Sequence, residues 1–184
     1  VGMRGQWISY TPGPTSPTGA PKGVRQDQRG LLHDILQYTQ VVQPTCADRH
    51  SLLYSPCVNG ALRDIYGALL TGATLCMSDL RGEGLHKVLH DLLVRRVTIL
   101  HAMPPVLRSL IRAAALPICP EARFLYTAGD RFLTEDLRMV RANLPEGCAI
   151  YTGIGSTECA TIYRQWIVPG DFAPDCELVP VGFA

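Results

Sequence analysis

The chain has 184 residues, 47% of them hydrophobic and 18% charged, which suits one globular domain with its own core and excludes a disordered or fibrous chain. Seventeen basic residues are scattered among sixteen acidic ones for a net charge of +1, so no concentrated field is available to grip nucleic acid or an anionic membrane. No apolar run approaches the ~20 residues that a membrane-crossing helix needs.

The first ten residues lack the basic segment, apolar core and small-residue cleavage site of an export signal, so a soluble, cytoplasmic protein is expected. The seven cysteines, at 46, 57, 76, 119, 148, 159 and 176, form no CxxC pair. Buried or idle thiols are therefore expected, rather than a zinc site or a disulfide framework.

Short apolar runs predict strands over 7–11, 51–55, 73–77, 97–101, 124–128 and 149–152. Helical spacing of Leu62, Ile65, Tyr66 and Leu69 predicts a first helix, and that of Leu85, Val88, Leu89 and Leu92 a second. A third opens at Pro104 and Pro105 and runs through Leu107, Leu110 and Ile111, because proline suits a first helical turn. A fourth takes Thr134 as its N-cap, with Glu135 and Asp136 beside the positive helix end, and stops by Pro145 and Gly147. Strands that are apolar throughout and alternate with helices give the α/β class, a mostly parallel sheet flanked by helices. The chain opens almost inside a strand and stops after Gly182 without a polar tail, so residues 1–184 are expected to be a single partial domain. Cutting a sheet leaves an unpaired edge, and such a piece alone is expected to be inactive and poorly soluble.

After the strand at 7–11 comes a loop over 12–23 that holds Gly13, Gly19 and Gly23, the hydroxyls of Thr15, Ser16 and Thr18, and Lys22. Glycines let backbone N–H groups approach an anion, hydroxyls donate hydrogen bonds, and a lysine adds charge for β- and γ-phosphates. It is not a Walker loop, because Lys22 is followed by Gly23. The bland alternative is a connector between a strand and a helix.

The residues themselves carry more. Tyr10-Thr11-Pro12-Gly13, followed by Thr18-Gly19-Ala20-Pro21-Lys22-Gly23-Val24, resembles the YTSGSTGxPKGV signature of the adenylate-forming superfamily: acyl-CoA ligases, luciferases and nonribosomal peptide synthetase adenylation domains. Pro12 and the stretch Pro14 to Pro17 depart from it, and each proline removes an N–H from the cradle. Three more landmarks follow in the family's order. Residues 59–73, from Asn59-Gly60-Ala61 to Thr71-Gly72-Ala73, are similar to the helix written FDASVWEIFGALLxGA in amino-acid-activating members. Tyr126-Thr127-Ala128-Gly129-Asp130 is similar to the turn beside the adenine, and Gly153-Ile154-Gly155-Ser156-Thr157-Glu158 to the YGxTE motif.

The resemblance implies part of the large N-terminal core of an enzyme that uses ATP and Mg²⁺ to turn a small carboxylic acid into acyl-AMP, with pyrophosphate released. Transfer to a thiol would follow, on coenzyme A or on the phosphopantetheine of a carrier-protein domain. It implies an ATP site of Thr11, Gly13, Thr15, Thr18, Gly19, Lys22, Gly129, Asp130, Gly153, Ile154, Gly155 and Thr157, with catalytic roles for Thr157, Glu158 and Lys22. Glu158 is the expected Mg²⁺ residue, since a hard dication prefers carboxylate oxygen; the alternative for Thr157 and Glu158 is a helix cap. Lys22 is distinct from the lysine that the family's lid domain contributes. Ile154 stands where the family stacks a tyrosine on adenine, which gives up on the order of 1 kcal/mol of π-stacking.

For the acid, the resemblance implies a pocket of Asn59, Gly60, Arg63, His101, Tyr126, Ala128, Gly153, Thr161 and Ile162. Amino-acid activators place an aspartate at the position of Asn59, whereas aryl-acid activators are similar to this chain in having asparagine. A neutral amide cannot offset a buried ammonium, so a substrate without an α-amino group is expected. Arg63 as a solvated helix residue and His101 as a strand-end histidine remain open alternatives, as do an amino-acid-activating domain and a non-catalytic remnant. A dinucleotide-binding domain is disfavoured because no GxGxxG opens a helix.

Overall fold

Inner strands that are buried on both faces must divide their side chains between two cores, and the computed structural model has this arrangement. It describes residues 6–11, 22–56, 58–115, 117–159, 161–173 and 175–182, with the backbone alone at 6–11, 22, 161 and 163. Strands β3 (Arg49–Leu52), β4 (Thr74–Met77), β5 (Ile99–His101), β6 (Phe124–Ala128), β7 (Ala149–Ser156) and β8 (Thr161–Val168) form one sheet in the order β4-β3-β5-β6-β7-β8. All neighbouring pairs are parallel except β7 with β8.

Leu100, Leu125 and Ile150 face a core shared with helices α3 (Gly84–Val94), α4 (Pro104–Ala113) and α5 (Thr134–Asn143). Ile99, Phe124, Tyr126 and Tyr151 face the opposite core, with Tyr38 and Val42 of helix α1 (Gln28–Val42). Helix α2 (Ala61–Thr71) packs beside α1 on that face. The expected α/β class is therefore observed, with the two-residue alternation of each strand feeding both layers.

Strand 7–11 does not join this sheet. As β1 (Gln6–Thr11) it pairs antiparallel with β2 (Lys22–Asp27) in a separate two-stranded sheet, in which Thr11 stands opposite Lys22. The glycine-rich loop thus connects two strands rather than a strand and a helix, and the ladder brings its two ends together. Asp27 then starts α1, its carboxylate accepting the Gly30 N–H at 2.8 Å. Strand β2, helix α1 and strand β8 were not among the expected elements, although the buried Leu31, Ile35, Tyr38 and Val42 of α1 do repeat at helical spacing.

Two helical expectations need correction. Helix α2 forms, but its apolar stripe faces outward: Leu69 and Leu70 are 63% and 59% exposed, while Ala61, Arg63, Asp64, Gly67 and Ala68 are buried. Small residues let this face approach α1 closely, since a Cβ on Gly67 would lie 2.7 Å from a Tyr38 ring carbon. The polar pair on it is bonded to partners below. At α5 the N-cap is Leu133 rather than Thr134; Asp136 accepts the Leu133 N–H at 2.9 Å, and the Thr134 hydroxyl instead donates to the Cys176 carbonyl. The six described cysteines are free thiols; Cys76 and Cys119 are buried, whereas Cys46, Cys159 and Cys176 are exposed. Among the described residues no helix is long and apolar enough to cross a membrane.

Candidate functional site

Strand order reverses between β3 and β5, because β4 lies on one side of β3 and β5 to β7 extend on the other. A crevice outside the carboxyl ends of parallel strands at such a point is where α/β sheets hold ligands. The residues expected to bind the acid gather there. His101 ends β5 opposite Tyr126 of β6, and Ala128 ends β6 opposite Gly153 of β7. Asn59 and Gly60 lead into α2 beyond the end of β3, with Arg63 and Asp64 in its first turn.

Packing joins these residues into one wall. A Cβ on Gly60 would lie 3.1 Å from the Tyr54 ring, which rests on His101 with ring centroids 4.5 Å apart. His101 in turn lies 4.1 Å from the Tyr126 ring. A Cβ on Gly153 would meet Ile162 Cγ2 at 2.9 Å and Tyr126 at 3.5 Å, so this position requires glycine for close approach. Burial raises the phenol pKa of both Tyr54 and Tyr126, leaving them neutral hydroxyls.

Arg63 is neither solvated nor free to meet a ligand with its whole fork. It is 3% exposed, and its Nη2 and Nε donate to Asp34 of α1 at 2.6 and 2.9 Å. Its guanidinium carbon lies 5.4 Å from the Tyr126 ring centroid and 5.7 Å from that of Tyr38. Asp34 Oδ1 also accepts the Ile162 N–H at 3.2 Å, which ties α1, α2 and β8 together around one buried charge pair. Burial opposes the charge on Arg63, but the bonds to Asp34 outweigh it and raise its pKa. Neighbouring Asp64, absent from the expected site, places both carboxylate oxygens 3.0 Å from His101 Nδ1. Its signal in sequence was slight, a lone acid one position past the expected pocket residue.

The nucleotide-side residues lie along the same rim. Gly129, with φ +89° in the left-handed region, and Asp130 follow Ala128 directly and are exposed. Ile154 is 44% exposed, Gly155 and Thr157 are half-buried, and Glu158 is exposed. Thr157 and Glu158 sit in the turn that joins β7 to β8, so they cap no helix. Thr161 pairs with Ser156 across that turn. Gly13, Thr15, Thr18 and Gly19 lie outside the described residues, as do the side chains of Thr11, Lys22 and Thr161.

Gln26 of β2 links the two sides. Its Nε2 donates to the Thr157 carbonyl at 2.9 Å and to Asn59 Oδ1 at 3.1 Å. A carbonyl can only accept, so the Gln26 nitrogen must face Thr157, and the Asn59 atom turned toward Gln26 must be its oxygen. Asn59 is therefore left with its N–H₂ group to offer. Strand β2, which begins at Lys22, is in this way fastened beside the Thr157–Glu158 turn.

Among the described residues no three His, Cys, Asp or Glu side chains converge as a metal cage. A magnesium ion carried in with a nucleotide would need only one protein carboxylate, and Glu158, next to Thr157, is an exposed one. A hollow of about 390 Å³ lined by Leu133, Thr134, Glu135, Arg138, Asp175, Cys176 and Glu177 lies at the start of α5 and shares no residue with this site.

The family model described as "AMP-binding enzyme" matches residues 7–184. The chain is 28% identical over 164 residues to the bassianolide nonribosomal cyclodepsipeptide synthetase of Beauveria bassiana, covering 86% of this chain and 5% of that protein. It superposes with a TM-score of 0.80 at 21% identity on the N-terminal subdomain of Klebsiella oxytoca NpsA in complex with 3-hydroxybenzoyl-AMSN, covering 95% of this chain and 43% of that one. For the O-succinylbenzoate coenzyme A synthetase of Bacillus subtilis, in complex with ATP and magnesium ion, the TM-score is 0.71 at 22% identity, covering 87% of this chain and 32% of that one. The chain thus spans about one-twentieth of the curated relative it matches. With the match running through β1, the crevice and the β7–β8 turn, the chain belongs to the AMP-binding, adenylate-forming enzyme family.

Proposed function

We propose that the protein containing this chain activates a small carboxylic acid without an α-amino group as acyl-AMP, releasing pyrophosphate. The acyl group then passes to a thiol, the phosphopantetheine of a carrier-protein domain or coenzyme A. The observation that carries this reading is the Gln26 bridge, which joins the acid-side Asn59 to the phosphate-side Thr157 and turns the Asn59 side-chain oxygen toward Gln26. An ammonium group would find no counter-charge at Asn59, and leaving it unpaired in the interior costs several kcal/mol.

Attack of the carboxylate on the α-phosphorus needs positioning and charge neutralisation more than covalent help from the protein. In this reading Thr157 orients the α-phosphate and Glu158 holds Mg²⁺, whose charge would draw the phosphate oxygens together. Thr11, Gly13, Thr15, Thr18, Gly19 and Lys22 restrain the departing pyrophosphate. Gly129, Asp130, Gly153, Ile154 and Gly155 border the base. Gly60, Arg63, His101, Tyr126, Ala128, Thr161 and Ile162 complete the acyl pocket, Arg63 by shaping it through Asp34. The reaction is placed in the cytoplasm.

The test is ATP–pyrophosphate exchange by the full parent protein across a panel of aryl, keto, hydroxy and α-amino acids, with Glu158→Ala as control. Exchange with an acid lacking the α-amino group, lost in the Glu158→Ala protein, is expected. Best exchange with an α-amino acid would overturn the substrate assignment, and none with any acid would favour a non-catalytic remnant.

A further inference from the structure

The amide of Gln26 is used on one side only. Its Nε2 carries two hydrogens and has two acceptors, the Thr157 carbonyl at 2.9 Å and Asn59 Oδ1 at 3.1 Å, so both hydrogens are committed. Its Oε1 is buried and has no hydrogen-bond partner among the described residues. Turning the amide over would set that oxygen against the Thr157 carbonyl, acceptor against acceptor, so the orientation is fixed for as long as the carbonyl stays in place. At 5% exposure the side chain has no solvent at hand to replace either acceptor.

A buried acceptor without a donor costs free energy, and here the two donated bonds offset it. Loss of either one upsets that balance, because the remaining bond must then carry the orphaned oxygen alone. The two bonds therefore favour each other. Their acceptors belong to segments with little packing of their own. In the β7–β8 turn Ser156 and Thr157 are half-buried and Glu158 and Cys159 exposed, and in the approach to α2 Asn59 and Gly60 are half-buried. A ligand that orders one of these segments raises the population of the bridged state, which orders the other.

We propose that Gln26 is a positioning residue through which the two substrates bind interdependently: a nucleotide on the Thr157–Glu158 turn strengthens binding of the acid beside Asn59, and the acid strengthens binding of the nucleotide by the same factor, as linkage requires. The inference rests on the adenylation reading, to which it adds a means by which ordering of the phosphate side responds to the acid. Strand β2 carries the coupling toward the glycine-rich loop, since the ladder that holds Gln26 opposite Trp7 also holds Lys22 opposite Thr11. Gln26 acts through other groups, as its bonds go to a main-chain carbonyl and to the Asn59 side chain.

The experiment uses the full parent protein, Mg²⁺ and α,β-methylene-ATP, an analogue that cannot release pyrophosphate. Benzoate, 2-oxopentanoate, 2-hydroxypentanoate and leucine are first compared by ATP–pyrophosphate exchange, and the fastest becomes the acid probe. Calorimetric titration then gives the dissociation constant of the analogue alone and with that acid at saturation. In the native protein the acid is expected to tighten the analogue by about fivefold or more, with the same factor on the acid when the order is reversed. Gln26→Met keeps the length of the side chain without a donor and should bring this ratio close to one. Arg25→Ala, at the neighbouring exposed position of β2, should leave the ratio at its native value. A purely structural role would lower the melting temperature and weaken both ligands in step, with the ratio intact. If Gln26→Met fails to fold, as judged by thermal melting, the ratio is read in Gln26→Leu. A native ratio near one, or a native-sized ratio in the donor-free variant, would overturn the proposal and leave the adenylation reading standing. Absence of exchange with every acid, leucine included, would overturn the adenylation reading first and this inference with it.

Discussion

Gln26 Nε2 lies 2.9 Å from the carbonyl oxygen of Thr157, although 131 residues separate them in sequence. This contact holds the small β1–β2 sheet against the β7–β8 turn. Gln26→Leu keeps the volume but leaves two half-buried acceptors, Thr157 O and Asn59 Oδ1, without their donor, at a cost of about 0.5–1.5 kcal/mol. Pyrophosphate exchange by the parent protein should fall by about tenfold or more, with a smaller change in its melting temperature. Exchange at the native rate in Gln26→Leu would show that the bridge does not position the site.

The Arg63–Asp34 pair is buried on both sides, with side-chain exposures of 3% and 6%. Removing one partner leaves the other charge unpaired, so Asp34→Asn should destabilise the domain by about 3–5 kcal/mol. The double variant Arg63→Met, Asp34→Leu should lose much less, because no lone charge remains. Urea unfolding of the three proteins measures both values, and equal losses in the single and double variants would contradict the assignment.

Gly67→Ala sets a gain of about 1 kcal/mol in helix propensity against a collision with the Tyr38 ring. The added Cβ would stand 2.7 Å from Tyr38 Cε1, and Tyr38 is fully buried, so the ring cannot swing away. Overpacking of this kind costs about 1–3 kcal/mol, which outweighs the helical gain. A net loss of stability is expected by thermal melting, in contrast to the usual sign of this substitution in an exposed helix.

Acid sensitivity should trace in part to His50. Burial lowers its pKa to about 4, aided by Arg123 and His101 and opposed by Asp48. The unfolded chain takes up this proton near the ordinary value of about 6.5, whereas the folded chain refuses it until about 4. Stability is therefore independent of His50 above the upper value, declines as pH falls through the window, and levels off from this group below it. Urea unfolding at stepped pH should give a shallower decline for His50→Gln between about pH 6.5 and 4.

On the outward face of α2, Tyr66, Leu69 and Leu70 are exposed, as is Met77 on the edge strand β4. An apolar stripe beside an open strand edge favours association. The 184-residue chain alone should self-associate and give no steady exchange, and Leu69→Glu with Leu70→Lys should raise its monomeric fraction in sedimentation. Those two positions lie away from the crevice, so a gain in monomer without a gain in exchange is the expected result.

The sequence by itself determined the class of fold, the positions of most inner strands, and helices α3 and α4, because their apolar residues repeat with the period of the element that buries them. It also carried the family, because four motifs stand in order along one chain. It did not reveal which face of α2 is inward. That face is built from small and charged residues, and only the presence of Asp34 and His101 across the gap makes burial of Arg63 and Asp64 tolerable. Nor did it reveal Gln26, whose importance lies in contacts 33 and 131 residues away. Periodicity reports how a segment sorts itself between water and a core. Which polar groups meet inside that core is decided only when distant segments are packed together, since each buried charge is acceptable only beside the partner that neutralises it.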